Sequence, residues 1–201
     1  MLNHLAIIPD GNRRFSRKKY SNSLSGAKES RKVLVELMEW CISNKISELS
    51  VFAWSTENWK RPQREVKYAM NTLEQQLQTW IENPDGRIAF TFVSSNTQNI
   101  PVTILEQMEI LENVENGETQ LQVYIYLSYG YREGCLRPPN LKRDPDLLIR
   151  TSGERRLSNF CMGNLAYTEL LFIDALFPEC SCETWDDCLQ DFKDRHRRYG
   201  K

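Results

Sequence analysis

The sequence predicts an α/β fold, a mostly parallel central sheet flanked by helices, and three observations predict it. Short apolar runs alternate along the chain with longer stretches of helical period. Several of the runs are bounded by turn residues such as Pro, Asp, Gly and Asn. Four of the runs are followed by loops that carry clusters of polar residues, and in open parallel sheets ligands sit beyond the carboxyl ends of the strands.

The elements follow in order. Residues 5–8 form a buried strand, stopped by the turn sequence Pro9-Asp10-Gly11-Asn12. Ser25 is the expected cap of a helix with Val33, Leu34, Leu37, Met38 and Cys41 on one face. Residues 49–54 are the second strand. Val66, Met70, Leu73, Leu77 and Trp80 mark a second amphipathic helix. Residues 88–93 are a strand, and Ile104, Leu105, Met108 and Leu111 are the stripe of a helix. Residues 121–127 read as a strand of alternating character, with further strands at 147–149 and 170–173. Thr184 is the expected cap of the last helix, which places Trp185, Cys188, Leu189 and Phe192 on one face.

The 201 residues, 40% hydrophobic, suit a single domain with a substantial core. A net charge of −1 argues against a general nucleic-acid binder. No run of 18 apolar residues appears, and the start lacks a basic segment before a hydrophobic one, so a cytoplasmic protein is expected. Basic clusters at Arg13, Arg14, Arg17, Lys18 and Lys19, and again at Arg195, Arg197, Arg198 and Lys201, are either solvated surface or contacts to an anionic partner; peripheral membrane contact is one such alternative. The six cysteines lack ordinary zinc spacing and read as reduced, mostly buried thiols.

If the sheet is parallel, four loops meet at one rim: Asp10 to Arg14, Ser55 to Arg61, Ser128 to Gly130 and Arg150 to Glu154. Arginine, serine and glycine in loops opening onto helices are the materials of a phosphate site. Arg150, Arg156 and Ser158 are suited to one diphosphate, and Asn12 and Arg14 to a second. Asp10 would repel both unless a cation came between, and Mg²⁺ is the natural mediator. A plain turn-former is the alternative for Asp10, and salt bridges to Glu154 or Glu169 are the alternative for the arginines. Phe15, Trp54, Trp59, Tyr129 and Phe160 could line a pocket for a hydrocarbon chain. An anionic head and an apolar tail describe an isoprenyl diphosphate.

The segments HLAIIPDGNRRF, FAWSTENWKRP, DPDLLIRTSGERRLSNF and RHRRYG closely resemble the signature blocks of the cis-prenyltransferases, the undecaprenyl and dehydrodolichyl diphosphate synthases. They occur in the family's order from residue 4 to residue 200. The resemblance implies a non-Rossmann α/β fold, a homodimer or heterodimer, and Mg²⁺-dependent condensation of isopentenyl diphosphate with an allylic diphosphate. It implies Asp10 as the metal-site carboxylate, with Glu169 assisting. Gly11, Asn12, Arg13, Arg14 and Phe15 would serve the allylic substrate. Trp54, Ser55, Asn58, Trp59 and Arg61 would position the substrates, with Ser55 and Asn58 near the proton that is lost. Arg150, Arg156 and Ser158 would grip isopentenyl diphosphate, and Arg198 and Gly200 would reach a diphosphate across the dimer interface.

The chain departs from the family at several points. Ser23 and Ala27 stand where an arginine and a histidine are usual. Tyr131 follows Gly130 where a second glycine is usual, and Gly163 stands where a tryptophan is common. The segment around 133–143 is short. Three readings result: a regular cis-prenyltransferase with a short product, an irregular head-to-middle coupling enzyme of the lavandulyl type, and a non-catalytic partner subunit.

Overall fold

The structure, a computed structural model, describes residues 1–20, 26–115, 117–134 and 141–197. Six strands form one sheet: β1 (His4–Ile8), β2 (Glu48–Ser55), β3 (Ile88–Val93), β4 (Leu121–Tyr129), β5 (Leu147–Arg150) and β6 (Glu169–Phe172). All five pairings are parallel, in the order β3-β4-β2-β1-β5-β6. The helices are α1 (Asn12–Tyr20), α2 (Gly26–Ser43), α3 (Gln63–Glu82), α4 (Val102–Glu112), the single turn α5 (Tyr131–Gly134) and α6 (Cys182–Asp194).

The central strands are largely apolar because both sheet faces are covered. β1 is buried at every position. β4, expected to alternate, is buried at all but Gln122, since it lies between β2 and β3. Successive side chains still part to opposite faces. Leu5, Ile7, Val123, Ile125, Leu147 and Ile149 join Val33, Leu37, Met38 and Cys41 of α2 and Trp185, Cys188 and Phe192 of α6. Ala6, Ile8, Tyr124, Tyr126 and Leu148 turn the other way, towards Phe160, Cys161 and Leu165. Each large apolar side chain buried this way contributes about 1.5–3 kcal/mol.

The helices expected from the stripes Val66 to Trp80 and Ile104 to Leu111 are present, as α3 and α4, and pack on each other. Two details differ from expectation. The turn after β1, Pro9-Asp10-Gly11, leads directly into α1; that helix buries only Phe15 and Ser16, which is too narrow a face to show as periodicity. The last helix starts at Cys182, capped by Ser181, whose N–H donates to Thr184 Oγ1 at 3.1 Å. Thr184 is thus the third helical residue and closes a capping box, rather than being the cap. The expected cap Ser25 lies outside the described residues. Cys41, Cys161, Cys180 and Cys188 are buried free thiols and Cys182 is exposed.

Strand order fixes the site. From β1 the early chain builds outwards through β2 to β4 and β3, and the late chain builds the other way through β5 and β6. The reversal occurs at β1, and a crevice opens beyond the carboxyl ends of strands at such a point.

Candidate active site

A cleft of about 640 Å³ opens there. Its mouth is built from the loops after β1, β2 and β5, and its body runs between α2 and α3 over β2 and β4. α3 packs mainly on α4 and touches α2 sparsely, which leaves the gap.

Two loops are latched at the mouth. The Asp10 N–H donates to Thr151 Oγ1 at 2.9 Å, and the Thr151 hydroxyl donates to the Asp10 carbonyl at 2.7 Å. Gly11 follows with φ +108°, and a Cβ there would stand 2.9 Å from the Leu176 side chain, so only glycine fits without strain. The Gly11 N–H donates to Asp10 Oδ1 at 2.7 Å, and Arg150 Nη2 donates to Oδ2 at 2.8 Å. Burial pushes the Asp10 carboxyl up, but Arg150, the Gly11 amide and Arg14 outweigh it and hold the group below its ordinary value. Asp10 is therefore an anion at neutral pH.

Arg150 is only 3% exposed. Its Nη1 donates to Ser158 Oγ at 2.8 Å and to the Arg156 carbonyl, while its buried Nε has no partner. Arg14 donates to Ser152 Oγ at 2.6 Å and reaches Glu154 at 3.5 Å; Arg156 pairs with Glu154. Ser152, Gly153, Ser158, Asn159 and Cys161 all have positive φ. Four of the five are not glycine, a conformation costing of order 1 kcal/mol each, and such strain concentrates at functional sites. Arg13 pairs with Glu65 of α3 at 3.3 Å. Arg61 lies over the Trp54 ring at 5.1 Å, and burial together with Arg13 pushes its guanidinium below the ordinary value. An anion in the cleft would relieve that stress.

The Asn12 amide donates to the Pro9 carbonyl at 3.0 Å, and its Oδ1 accepts the Ser30 hydroxyl of α2. Asn58 Oδ1 accepts the Ser55 N–H at 3.2 Å, which leaves the Asn58 amide N–H₂ for another partner. Ser55 and Asn58 both line the cleft. Altogether seven arginines line it, at 13, 14, 17, 31, 61, 150 and 156, against the three carboxylates of Asp10, Glu65 and Glu154.

The structure thus brings together Asp10, Gly11, Asn12, Arg13, Arg14, Trp54, Ser55, Asn58, Arg61, Arg150, Arg156 and Ser158. It does not bring Glu169 to them. Glu169 begins β6 in register with Leu147, at the amino end of the sheet, and pairs with Arg195 at 3.1 Å. Within one protomer it cannot share a metal with Asp10. Arg150 also pairs with Asp10, not with the Glu154 or Glu169 named as alternatives. Arg198 and Gly200 lie outside the described residues, as does Ser23.

Of the five aromatic residues expected around a hydrocarbon pocket, only Trp54 lines the cleft. Phe15 is buried beneath α1, and Tyr129 and Phe160 belong to the core on the second face. Trp59 stands behind Trp54, ring centroids 5.5 Å apart, and its Nε1 donates to Ser128 Oγ at 2.8 Å. The apolar wall comes instead from Leu34, Val51, Phe52, Ala69, Met70, Leu73, Trp80, Ile125 and Leu127. Sequence reasoning missed Arg17, Arg31, Tyr68 and Gln76 on this lining; helical spacing from residues already assigned to the cleft face was the available signal. The arrangement holds polyanionic groups at its mouth and apolar chain in its body.

The family model described as undecaprenyl diphosphate synthase matches residues 8–138 and 134–200. The isoprenyl transferase of Aquifex aeolicus is 33% identical, with 98% of this chain and 95% of that protein covered. A probable undecaprenyl diphosphate synthase from Campylobacter jejuni is similar in structure, with TM-score 0.81 and 28% identity over 100% of this chain and 99% of that one. Lavandulyl diphosphate synthase from Lavandula x intermedia, solved with dimethylallyl diphosphate, superposes with TM-score 0.88 at 24% identity, over 100% of this chain and 98% of that one, a likeness of fold.

Proposed function

The chain belongs to the undecaprenyl diphosphate synthase family of isoprenyl transferases, and on that premise we propose that it condenses isopentenyl diphosphate with an allylic diphosphate to give a short (Z)-prenyl diphosphate. The observation that carries this reading is the junction of an arginine-rich mouth with an apolar body in one cleft. Neither half alone would suit both ends of such a substrate.

In this reading Arg150, Arg156 and Ser158 hold isopentenyl diphosphate, and Arg14 and Asn12 hold the allylic diphosphate. Guanidinium forks match phosphate oxygens and stabilise the charge that grows on the departing diphosphate. The isopentenyl double bond attacks the allylic carbon as the allylic carbon–oxygen bond breaks. A proton then leaves the isopentenyl portion for a diphosphate oxygen that the Asn58 amide helps to place. The apolar wall excludes water that would otherwise capture the allylic carbon.

Asp10 fits a Mg²⁺ ion. It is ionised, and magnesium takes one or two carboxylates and completes its shell with phosphate oxygens and water. Among the described residues no group of three His, Cys, Asp or Glu side chains could cage a metal, which suits an ion that arrives with its substrate. When bound it would neutralise charge on the leaving group. A dimer belongs to the proposal through the resemblance of the ending Arg198-Tyr199-Gly200 to the family's C-terminal element.

The test is incubation with Mg²⁺, labelled isopentenyl diphosphate and dimethylallyl, geranyl or farnesyl diphosphate, with product structures determined. Linear (Z)-extended products support the proposal. Branched products from dimethylallyl diphosphate alone would replace it with head-to-middle coupling. The short product rests on a cleft volume typical of drug-sized ligands. Trp80, stacked on Phe90 at 4.6 Å, lines the cleft further along α3 than Leu73. Trp80→Ala is expected to lengthen the products by at least one unit; an unchanged length distribution removes Trp80 as the limit.

A further inference from the structure

The cleft face of α2 carries Ala27, Ser30, Arg31 and Leu34, the spacing of one helical stripe. Its upper end is fixed to the mouth. The Gly26 N–H donates to Ser16 Oγ at 2.5 Å, and Ser30 donates to Asn12. Leu34, lower on the stripe, belongs to the apolar wall. Arg31 therefore stands at the boundary between the two regions. Side chains on a helix lean towards its N-terminus, which lets a long side chain at 31 extend towards the level of Ala27, where the chain itself offers only a methyl group; Arg31 lines both the cleft and the open groove beside Asn71 and Glu74 of α3.

The arginines of the cleft divide into two groups. Arg13, Arg14, Arg150 and Arg156 each pair with a carboxylate of the protein, and Arg61 rests on Trp54. Arg17 and Arg31 have no hydrogen-bond, ion-pair or ring partner among the described residues. Arg31 is moreover partly buried against the cleft wall and meets no carboxylate among the described residues.

We propose that Arg31 binds the terminal phosphate of the allylic diphosphate, with Arg17 of α1 as the outer cation of the same subsite. The assignment rests on the prenyl-transfer reading above. It explains how a chain with alanine at 27 keeps a cationic contact on this side of the cleft. A guanidinium one turn further along the helix replaces a side chain at that position.

The experiment measures calorimetric binding of geranyl diphosphate and geranyl monophosphate, and steady-state constants for both substrates, in wild type, Arg31→Gln, Arg31→Lys and Arg31→Gln/Ala27→His. Arg31→Gln is expected to weaken geranyl diphosphate about ten- to hundredfold, the range for one charge-assisted hydrogen bond, and to leave monophosphate binding and the KM for isopentenyl diphosphate within twofold. Arg31→Lys recovers part of the loss, as a point charge without the fork, and Ala27→His in the Arg31→Gln background recovers part as well. An unchanged isopentenyl KM also shows that the variant is folded. Equal diphosphate affinity in wild type and Arg31→Gln overturns this assignment and leaves prenyl transfer standing. A wild-type protein that binds neither geranyl compound overturns both.

Discussion

The two ends of the sheet are built from the same residue types and behave differently. At the amino end, Arg143, Arg195 and Arg197 meet Glu48, Asp146, Glu169 and Asp191. Asp146 accepts the N–H groups of Asn3 and His4 at 2.9 and 3.1 Å as well as Arg197 at 3.0 Å. Cation and anion are near balance, and the hydrogen bonds tie the chain ends to the strands. At the carboxyl end, seven arginines face three carboxylates. Four are already paired, yet a positive surplus remains and points into a cleft. Ion pairs alone do not mark a function. The surplus does, because guanidiniums gathered without matching anions repel one another until a ligand arrives.

The comparison breaks if charge removal at the two ends has the same consequence. The largest effect expected is Asp10→Asn: turnover should fall about a thousandfold, as when a transition-state charge stabiliser is lost, while circular dichroism stays native. Normal turnover would remove Asp10 from the metal site.

Next comes acid lability at the opposite end. His4 is fully buried; its Nδ1–H donates to the Arg143 carbonyl at 2.9 Å, which leaves Nε2 to accept from the Ser50 hydroxyl at 2.9 Å. Burial, against the Arg143 carbonyl and Asp146, lowers its pKa from 6.5 to about 4. The unfolded chain therefore takes up a proton that the folded chain refuses. Stability is full above pH 6.5 and declines as pH falls to about 4, by about 3 kcal/mol in all. Chemical denaturation at pH 7 and pH 4.5 measures this, and in His4→Gln the slope across that window should flatten.

The smallest effect is Asp146→Asn, which weakens charge-assisted hydrogen bonds to two backbone amides and Arg197. A loss of about 2 kcal/mol of stability is expected, with kcat and both KM values unchanged. Lost catalysis at unaltered stability would erase the distinction between the two ends.

All six strands were legible, because the strands of this parallel sheet, even the half-buried edges β3 and β6, leave short apolar runs bounded by turn residues. The convergence of the loops after β1, β2 and β5 was legible too, since it depends only on a parallel sheet. The direction of each rim aromatic was not. Trp59 and Phe160 lie outside the strands, where no alternation assigns a face, and a β-bulge near Trp54 shifts the register between β2 and β4 before Tyr129. Within the protomer Glu169 lies away from Asp10 because a strand's first residue and the loop after its last lie at opposite ends of the sheet, and a motif does not record which end it decorates. Arg31 was overlooked: its helical spacing was the available signal, and on a partly exposed helix several charged neighbours obscure it.

The contacts that close the mouth join residues far apart in the chain. Arg150 reaches Asp10 across 140 positions, and Thr151 reaches Asp10 across 141. On the ribosome the first 80 residues can lay down β1, β2, α2 and α3, yet they form only one bank of the cleft. The isopentenyl half of the proposed site is completed when β5 docks beside β1 and Arg150, Arg156 and Ser158 join the mouth, near the end of synthesis. A chain that stops before residue 150 keeps Arg14, Arg17 and Arg31 but lacks Arg150, Arg156 and Ser158 and, in the proposed reading, the hold on isopentenyl diphosphate.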